Sequence, residues 1–152
     1  PRVISSHYPA AHLTEVAEKI RRKPLIWDNW PVNDSRALSP FLRLGPPHSR
    51  GGELRDHVAG LICNPMNQAY LSQLPLSALA ASWGDHDGGQ AWDAALGQVV
   101  PPALGKLLRR DRWLLQEVGY PNLTAPVRAA RRAKERRICP REAPSVFSTA
   151  AS

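Results

Sequence analysis

The stretch Pro24-Leu-Ile-Trp-Asp-Asn-Trp-Pro-Val-Asn-Asp34 limits the fold more than any other, because an apolar run there turns abruptly polar where the chain must bend. Pro24 ends the preceding helix, since its ring removes a backbone donor and biases Lys23 away from the α region. Residues 25–29 then read as a short buried strand. Side chains alternate along a strand, so Leu25, Trp27 and Asn29 share one side while Ile26 and Asp28 share the other. Asp28, facing away from its neighbours, is expected to make a structural hydrogen bond. Pro31 stops the ladder and turns Val32 to Asp34 into a loop. The strand therefore ends in an aromatic plate, a carboxamide and a carboxylate, and in parallel α/β architectures that is the end at which ligands bind.

A second stretch repeats the pattern. Ala59-Gly-Leu-Ile-Cys-Asn64 is an apolar run that ends in a carboxamide and meets a proline. By alternation Gly60, Ile62 and Asn64 share a face, and Cys63 belongs to the core. Two strands thus each present an asparagine at the carboxyl end, which packing alone does not explain. Between them, residues 35–52 form a loop rich in Pro, Gly, Ser and Arg with Phe41, Leu42 and Leu44 as anchors; loops longer than about 12 residues tend to be functional.

The remaining elements follow from spacing. Leu13, Val16, Ala17 and Ile20 put one apolar stripe on a helix over 10–22, and a short helix is expected over 53–58. Helices are also expected over 66–84, 90–100 and 102–118, and residues 2–5 are a strand candidate. Asp85-His-Asp-Gly-Gly89 reads as a turn, because the ligand spacing of a calcium loop is missing; no metal and no cofactor are expected. Serine or cysteine nucleophiles find no supporting context, since there is no Gly-x-Ser-x-Gly and the five histidines are scattered, with His48 and His57 read as surface residues.

Strands alternating with helices call for parallel pairing through right-handed crossovers. Three such strands cannot close a barrel, which needs about eight strands and at least about 200 residues. The chain begins at Pro1 without a methionine, so a processed N-terminus or a piece of something longer is the expectation.

Charge must be located before it is interpreted. The formal +7 looks like a nucleic-acid signal, yet residues 128–142 hold a net +5 of it, leaving a nearly neutral body. No aromatic residues interleave with Arg128, Arg131, Arg132, Lys134, Arg136 and Arg137, so bases would find no stacking platform. That segment, expected as a helix over 127–137, reads as a solvated basic helix followed by a Pro-, Ser- and Ala-rich end. Asn122-Leu-Thr124 matches a glycosylation sequon by chance. Two cysteines, Cys63 and Cys139, make no disulfide framework and fit a reduced intracellular chain. No window approaches a membrane span.

At these residues the chain resembles glycoside hydrolase family 84, the β-N-acetylglucosaminidases that include protein O-GlcNAcase and some enzymes called hyaluronidases. The matching pieces are Pro1-Arg-Val-Ile-Ser5, the stretch from Pro24 to Asp34, Leu44-Gly-Pro46 with Arg50, and Gly60 through Asn64-Pro-Met66, extended by Leu74-Pro-Leu76. The resemblance implies an α/β fold in which the chain is the C-terminal portion of a (β/α)8 TIM barrel, about three parallel strands, followed by several helices. On that basis residues 1–88 belong to the barrel, 89–127 form a helical extension packed on it, and 128–152 are the basic helix and tail.

The resemblance further implies that Trp27, Asn29, Asp34 and Asn64 line a pocket for a terminal N-acetylglucosamine. Trp27 would flank the acetamido group, Asn29 and Asn64 would hydrogen-bond the sugar, and Asp34 would accept from ring hydroxyls. The residue chemistry agrees: carboxylates and carboxamides supply what hydroxyls demand, and an aromatic plate orients a small ligand. The family's catalytic pair of adjacent aspartates has no counterpart, since no Asp-Asp occurs in the sequence. The expectation is a sugar-binding part of a substrate-assisted retaining glycosidase, inactive alone and acting on an N-acetylglucosamine glycoconjugate, with a complementary N-terminal half or a second copy as candidate partners. The alternative is a non-catalytic N-acetylglucosamine-binding module.

Overall fold

The structure, a computed structural model, describes residues 5–122. The elements in order are α1 (Ala10–Ile20), β1 (Leu25–Asp28), a single 3-10 turn at Gly52–Leu54, β2 (Gly60–Cys63), α2 (Ala69–Trp83), α3 (Gly88–Val99) and α4 (Pro102–Trp113). A π turn at Leu114–Val118 and a 3-10 turn at Tyr120–Asn122 follow. The strand candidate at 2–5, the basic helix and the tail fall wholly or mainly outside the described residues.

The two strands pair in parallel with Leu25 opposite Gly60, Trp27 opposite Ile62 and Asp28 opposite Cys63. Pairing continues one step beyond the strands, where Asn64 N donates to Asp28 O at 2.9 Å. Among the described residues these two strands are the whole sheet, so the fold is a mixed α/β arrangement and not a closed barrel. Parallel sheets are normally covered on both faces. Here one face is covered and the other is open: Ile26 and Asp28 are buried, whereas Leu25, Trp27 and Ile62 are 59%, 67% and 43% exposed.

Two apolar clusters make the core, and only the smaller includes a buried strand residue. The smaller joins Leu13 of α1, Ile26 of β1, Leu54 and Val58. The larger joins Leu44 and Met66 to Leu74 and Ala78 of α2, Trp92, Ala95 and Leu96 of α3, Val100, and Leu108 of α4. Leu44 ties the long loop to the helices. Its carbonyl accepts from Trp92 Nε1 at 2.5 Å, Gly45 N donates to Gln116 Oε1 at 3.0 Å, and Leu42 N donates to Leu115 O at 3.0 Å.

Several element ends differ from expectation for identifiable reasons. The first helix stops before Pro24, at Arg21, whose left-handed backbone (φ 54) lets Arg22 N reach back to Ala17 O. Its stripe is narrower than expected, with Leu13 buried but Ile20 45% exposed. The helix expected over 53–58 is the single turn at Gly52–Leu54. The helix expected from Met66 starts at Ala69, because Ser72 Oγ and Asn33 Oδ1 already accept from Met66 N and Asn67 N. The last long helix gives way at Leu114 to a π turn that ends on Gly119 (φ 77), where a side chain would strike the Phe41 ring 2.8 Å away. In the turn before α3, Asp87 accepts from Gly89 N and Gln90 N at 2.7 and 3.1 Å, the work of a helix cap.

Candidate functional site

Parallel pairing in register puts residues 27 and 62 side by side, so the residues two places further along each strand, Asn29 and Asn64, emerge together at the carboxyl end. Asn64 Nδ2 donates to Asn29 Oδ1 at 3.3 Å, and Trp27 Nε1 donates to the same oxygen, also at 3.3 Å. One carboxamide oxygen thus gathers an indole and a second carboxamide on the open face of the sheet. Asn29 and Asn64 are half-buried and Trp27 stands proud of them. The cluster presents an aromatic plane, amide donors and amide acceptors within one small area, a combination suited to a small polyhydroxylated ligand.

Asp34 occupies the loop beyond. It is exposed and makes no hydrogen bond or ion pair among the described residues. Its place is set by its neighbour. Asn33 is buried at 1% exposure; its Nδ2 donates to Gln68 Oε1 at 2.8 Å and to Phe41 O at 3.2 Å, and its Oδ1 accepts from Asn67 N at 2.9 Å. The loop after β1 is therefore stitched to the segment after β2, which keeps the backbone of Asp34 at the same end of the sheet as Asn64. Sequence reading missed Asn33, since nothing in Val-Asn-Asp distinguishes an inward asparagine from an outward one.

The covered face holds the supports. Asp28 is fully buried and paired with buried Arg50, Nη2 lying 3.2 Å from Asp28 Oδ1 and Nε bonding the other oxygen. The structural hydrogen bond expected of Asp28 is this one. Tyr8 and Cys63 lie within its field. Burial first, then the Asp28 carboxylate, pushes the Tyr8 phenol up to about 12 and the Cys63 thiol up to about 11. Both stay protonated at neutral pH, so neither is a ready nucleophile.

Two apolar grooves lie elsewhere. One of about 580 Å³ runs along Gly60 and Leu61 of β2 and Leu76, Leu79 and Trp83 of α2, and another of about 540 Å³ lies among Pro40, Leu42, Leu71, Leu108 and Leu115. Neither touches Trp27, Asn29 or Asn64. Among the described residues no group of three or more His, Cys, Asp or Glu side chains could hold a metal ion, and no helix is long and apolar enough to cross a membrane.

A sequence profile described as beta-N-acetylglucosaminidase matches residues 1–109. The protein O-GlcNAcases of Rattus norvegicus and Mus musculus are each 30% identical over 96 residues, 63% of this chain and 10% of theirs. The chain thus spans about a tenth of the length of those curated relatives. Among solved structures, an O-GlcNAc hydrolase of Thermobaculum terrenum superposes with a TM-score of 0.67 at 30% identity, covering 76% of this chain and 25% of that one. The protein CpGH84D superposes with a TM-score of 0.55 at 26% identity, covering 66% of this chain and 17% of that one.

Proposed function

This chain belongs to the beta-N-acetylglucosaminidase family, and from that premise we propose that it supplies one sugar-binding wall of a glycosidase acting on terminal N-acetylglucosamine. The observation that carries the reading is the meeting of Trp27, Asn29 and Asn64 on one amide oxygen at the carboxyl ends of adjacent parallel strands. Trp27 lays its ring along the acetamido side, Asn29 and Asn64 exchange their mutual bond for bonds to sugar hydroxyls, and Asp34 accepts from two ring hydroxyls. These contacts hold the sugar so that its own acetamido oxygen can attack the anomeric carbon. That step displaces the leaving group with retention after a second, water-borne attack, and it still needs an acid to protonate the departing oxygen.

No adjacent aspartates stand in the sequence to supply that acid. The acid comes from a complementary part that covers the open face bearing Leu25, Trp27 and Ile62, and that pairs with the edge of β2 left unpaired among the described residues. An uncovered parallel sheet with a free edge is a surface that proteins ordinarily occupy. The same absence favours the second reading, an N-acetylglucosamine-binding module without hydrolysis.

The test is a turnover assay. The 152-residue chain alone releases no 4-nitrophenol from 4-nitrophenyl N-acetylglucosaminide, and gains turnover when a complementary part bearing an acid is supplied. Turnover by the chain alone that is lost on Asp34→Ala contradicts the division of labour. Sugar binding without turnover in any assembly selects the binding module.

A further inference from the structure

The sugar wall is held from behind. Asp28 stands between Trp27 and Asn29 in β1 but points to the opposite face, where its carboxylate meets Arg50. A guanidinium has five N–H groups, and all five are committed here. Nε and one Nη2 hydrogen bond the two Asp28 oxygens, the other Nη2 hydrogen bonds Ser5 O at 2.6 Å, and Nη1 bonds the carbonyls of Ser6 and His48 at 3.1 and 3.0 Å. The Tyr8 and Trp30 rings lie 5.4 and 5.8 Å from its central carbon. Arg50 is 4% exposed. One buried group therefore joins the segment before α1, the carboxyl half of β1 and the end of the long loop.

We propose that Arg50 is a positioning residue for sugar binding, fixing through Asp28 where Trp27 and Asn29 stand on the other face; the inference rests on the sugar-binding reading above. The peptide planes on either side of Asp28 are also those that orient residues 27 and 29, so any rotation of Asp28 swings both. The Trp27–Asn29 and Asn64–Asn29 bonds, at 3.3 Å each, have little length to spare before they are lost. Lysine keeps the charge of Arg50 but offers three donors from a single point, so it cannot hold both carboxylate oxygens and three carbonyls at once. An Arg50 that served stability alone would leave the affinity of the folded molecules unchanged.

The experiment titrates the ¹⁵N-labelled 152-residue chain with N-acetylglucosamine, following the Trp27 indole and the side-chain amides of Asn29 and Asn64, in wild type, Arg50→Lys, Asn64→Ala and Asn29→Ala. The expected result is an affinity at least threefold lower in R50K, a Trp27 indole resonance displaced before sugar is added, and a smaller loss when R50K is added to Asn29→Ala than when it is added to wild type. If R50K does not fold, Asp28→Asn, which keeps the side chain's shape but offers the guanidinium one acceptor oxygen in place of two, is read in the same way. Affinity within twofold of wild type in R50K, with binding lost in Asn64→Ala, overturns the inference and leaves the sugar-binding reading standing. No sugar-induced change at Trp27, Asn29 or Asn64 in wild type overturns both.

Discussion

Asn64 reaches across from β2 to donate to Asn29 at 3.3 Å, joining positions 35 residues apart in the chain. The bond exists because two short apolar runs each end in asparagine and pair in parallel without slippage. A shift of one residue would send Asn64 to the covered face. The register of the sheet is thus also the alignment of the candidate site.

That relationship predicts how Asn64→Ala behaves. The bond it removes lies between half-buried side chains, so the loss of stability in urea unfolding is small, about 0.5–1.5 kcal/mol. Affinity for N-acetylglucosamine, read by the titration described above, falls at least tenfold. A large loss of stability with unchanged affinity would make the asparagine pair structural.

Asp28 and Asp34 are predicted to differ sharply in what their loss costs the fold. Asp28→Ala leaves Arg50 charged and buried without its partner, which costs about 3–5 kcal/mol. Asp34 is exposed and bonds nothing among the described residues, so Asp34→Ala stays within about 0.5 kcal/mol of wild type while sugar affinity drops. Parallel denaturation curves check both.

Core truncation should follow burial and ignore hydrophobicity as such. Leu44 and Leu74 are fully buried, and replacing either by alanine destabilises by about 2–5 kcal/mol. Leu25, 59% exposed on the open face, loses little in the isolated chain. Leu25→Ala weakens assembly with a complementary part instead, measured by sedimentation of the mixture.

Alkaline pH should weaken the fold from about pH 9 upward. Cys63 titrates ordinarily at 9.0 and at about 11 in the fold, Tyr8 at 10.0 and about 12, burial being the first cause and the Asp28 carboxylate the second. Each neutral form is favoured by folding, so the unfolded chain releases the proton first. Their contribution is complete below pH 9 and is lost as pH rises through 11 and 12. Urea midpoints between pH 8 and pH 11 check this, and Cys63→Ala flattens the decline between pH 9 and pH 11.

Much of this was legible in the sequence because it depends on local pattern. Alternation alone separates Trp27 and Asn29 from Ile26 and Asp28, and the two asparagines at strand ends point to one rim. What the sequence conceals is partnership across distance. Arg50 sits in a Pro- and Ser-rich loop with no periodicity, and only the fold brings it 22 positions back to Asp28. Asn33 looks like any loop asparagine until Gln68 and Asn67 close around it. The start of α2 was displaced because Ser72 and Asn33 capture the backbone donors of Met66 and Asn67 before it. The apolar stripe of α1 is overread at Ile20 because period reports what an element could bury, whereas burial also requires something to lie against it.

The account turns on whether Trp27, Asn29, Asp34 and Asn64 together grip an N-acetylated sugar. The most direct measurement is the displacement of their side-chain resonances in the 152-residue chain by N-acetylglucosamine, with glucose as the control. The predicted result is saturable displacement at millimolar N-acetylglucosamine, weaker with glucose and abolished by Asp34→Ala. Equal displacement by both sugars, or displacement that survives Asp34→Ala unchanged, would contradict it.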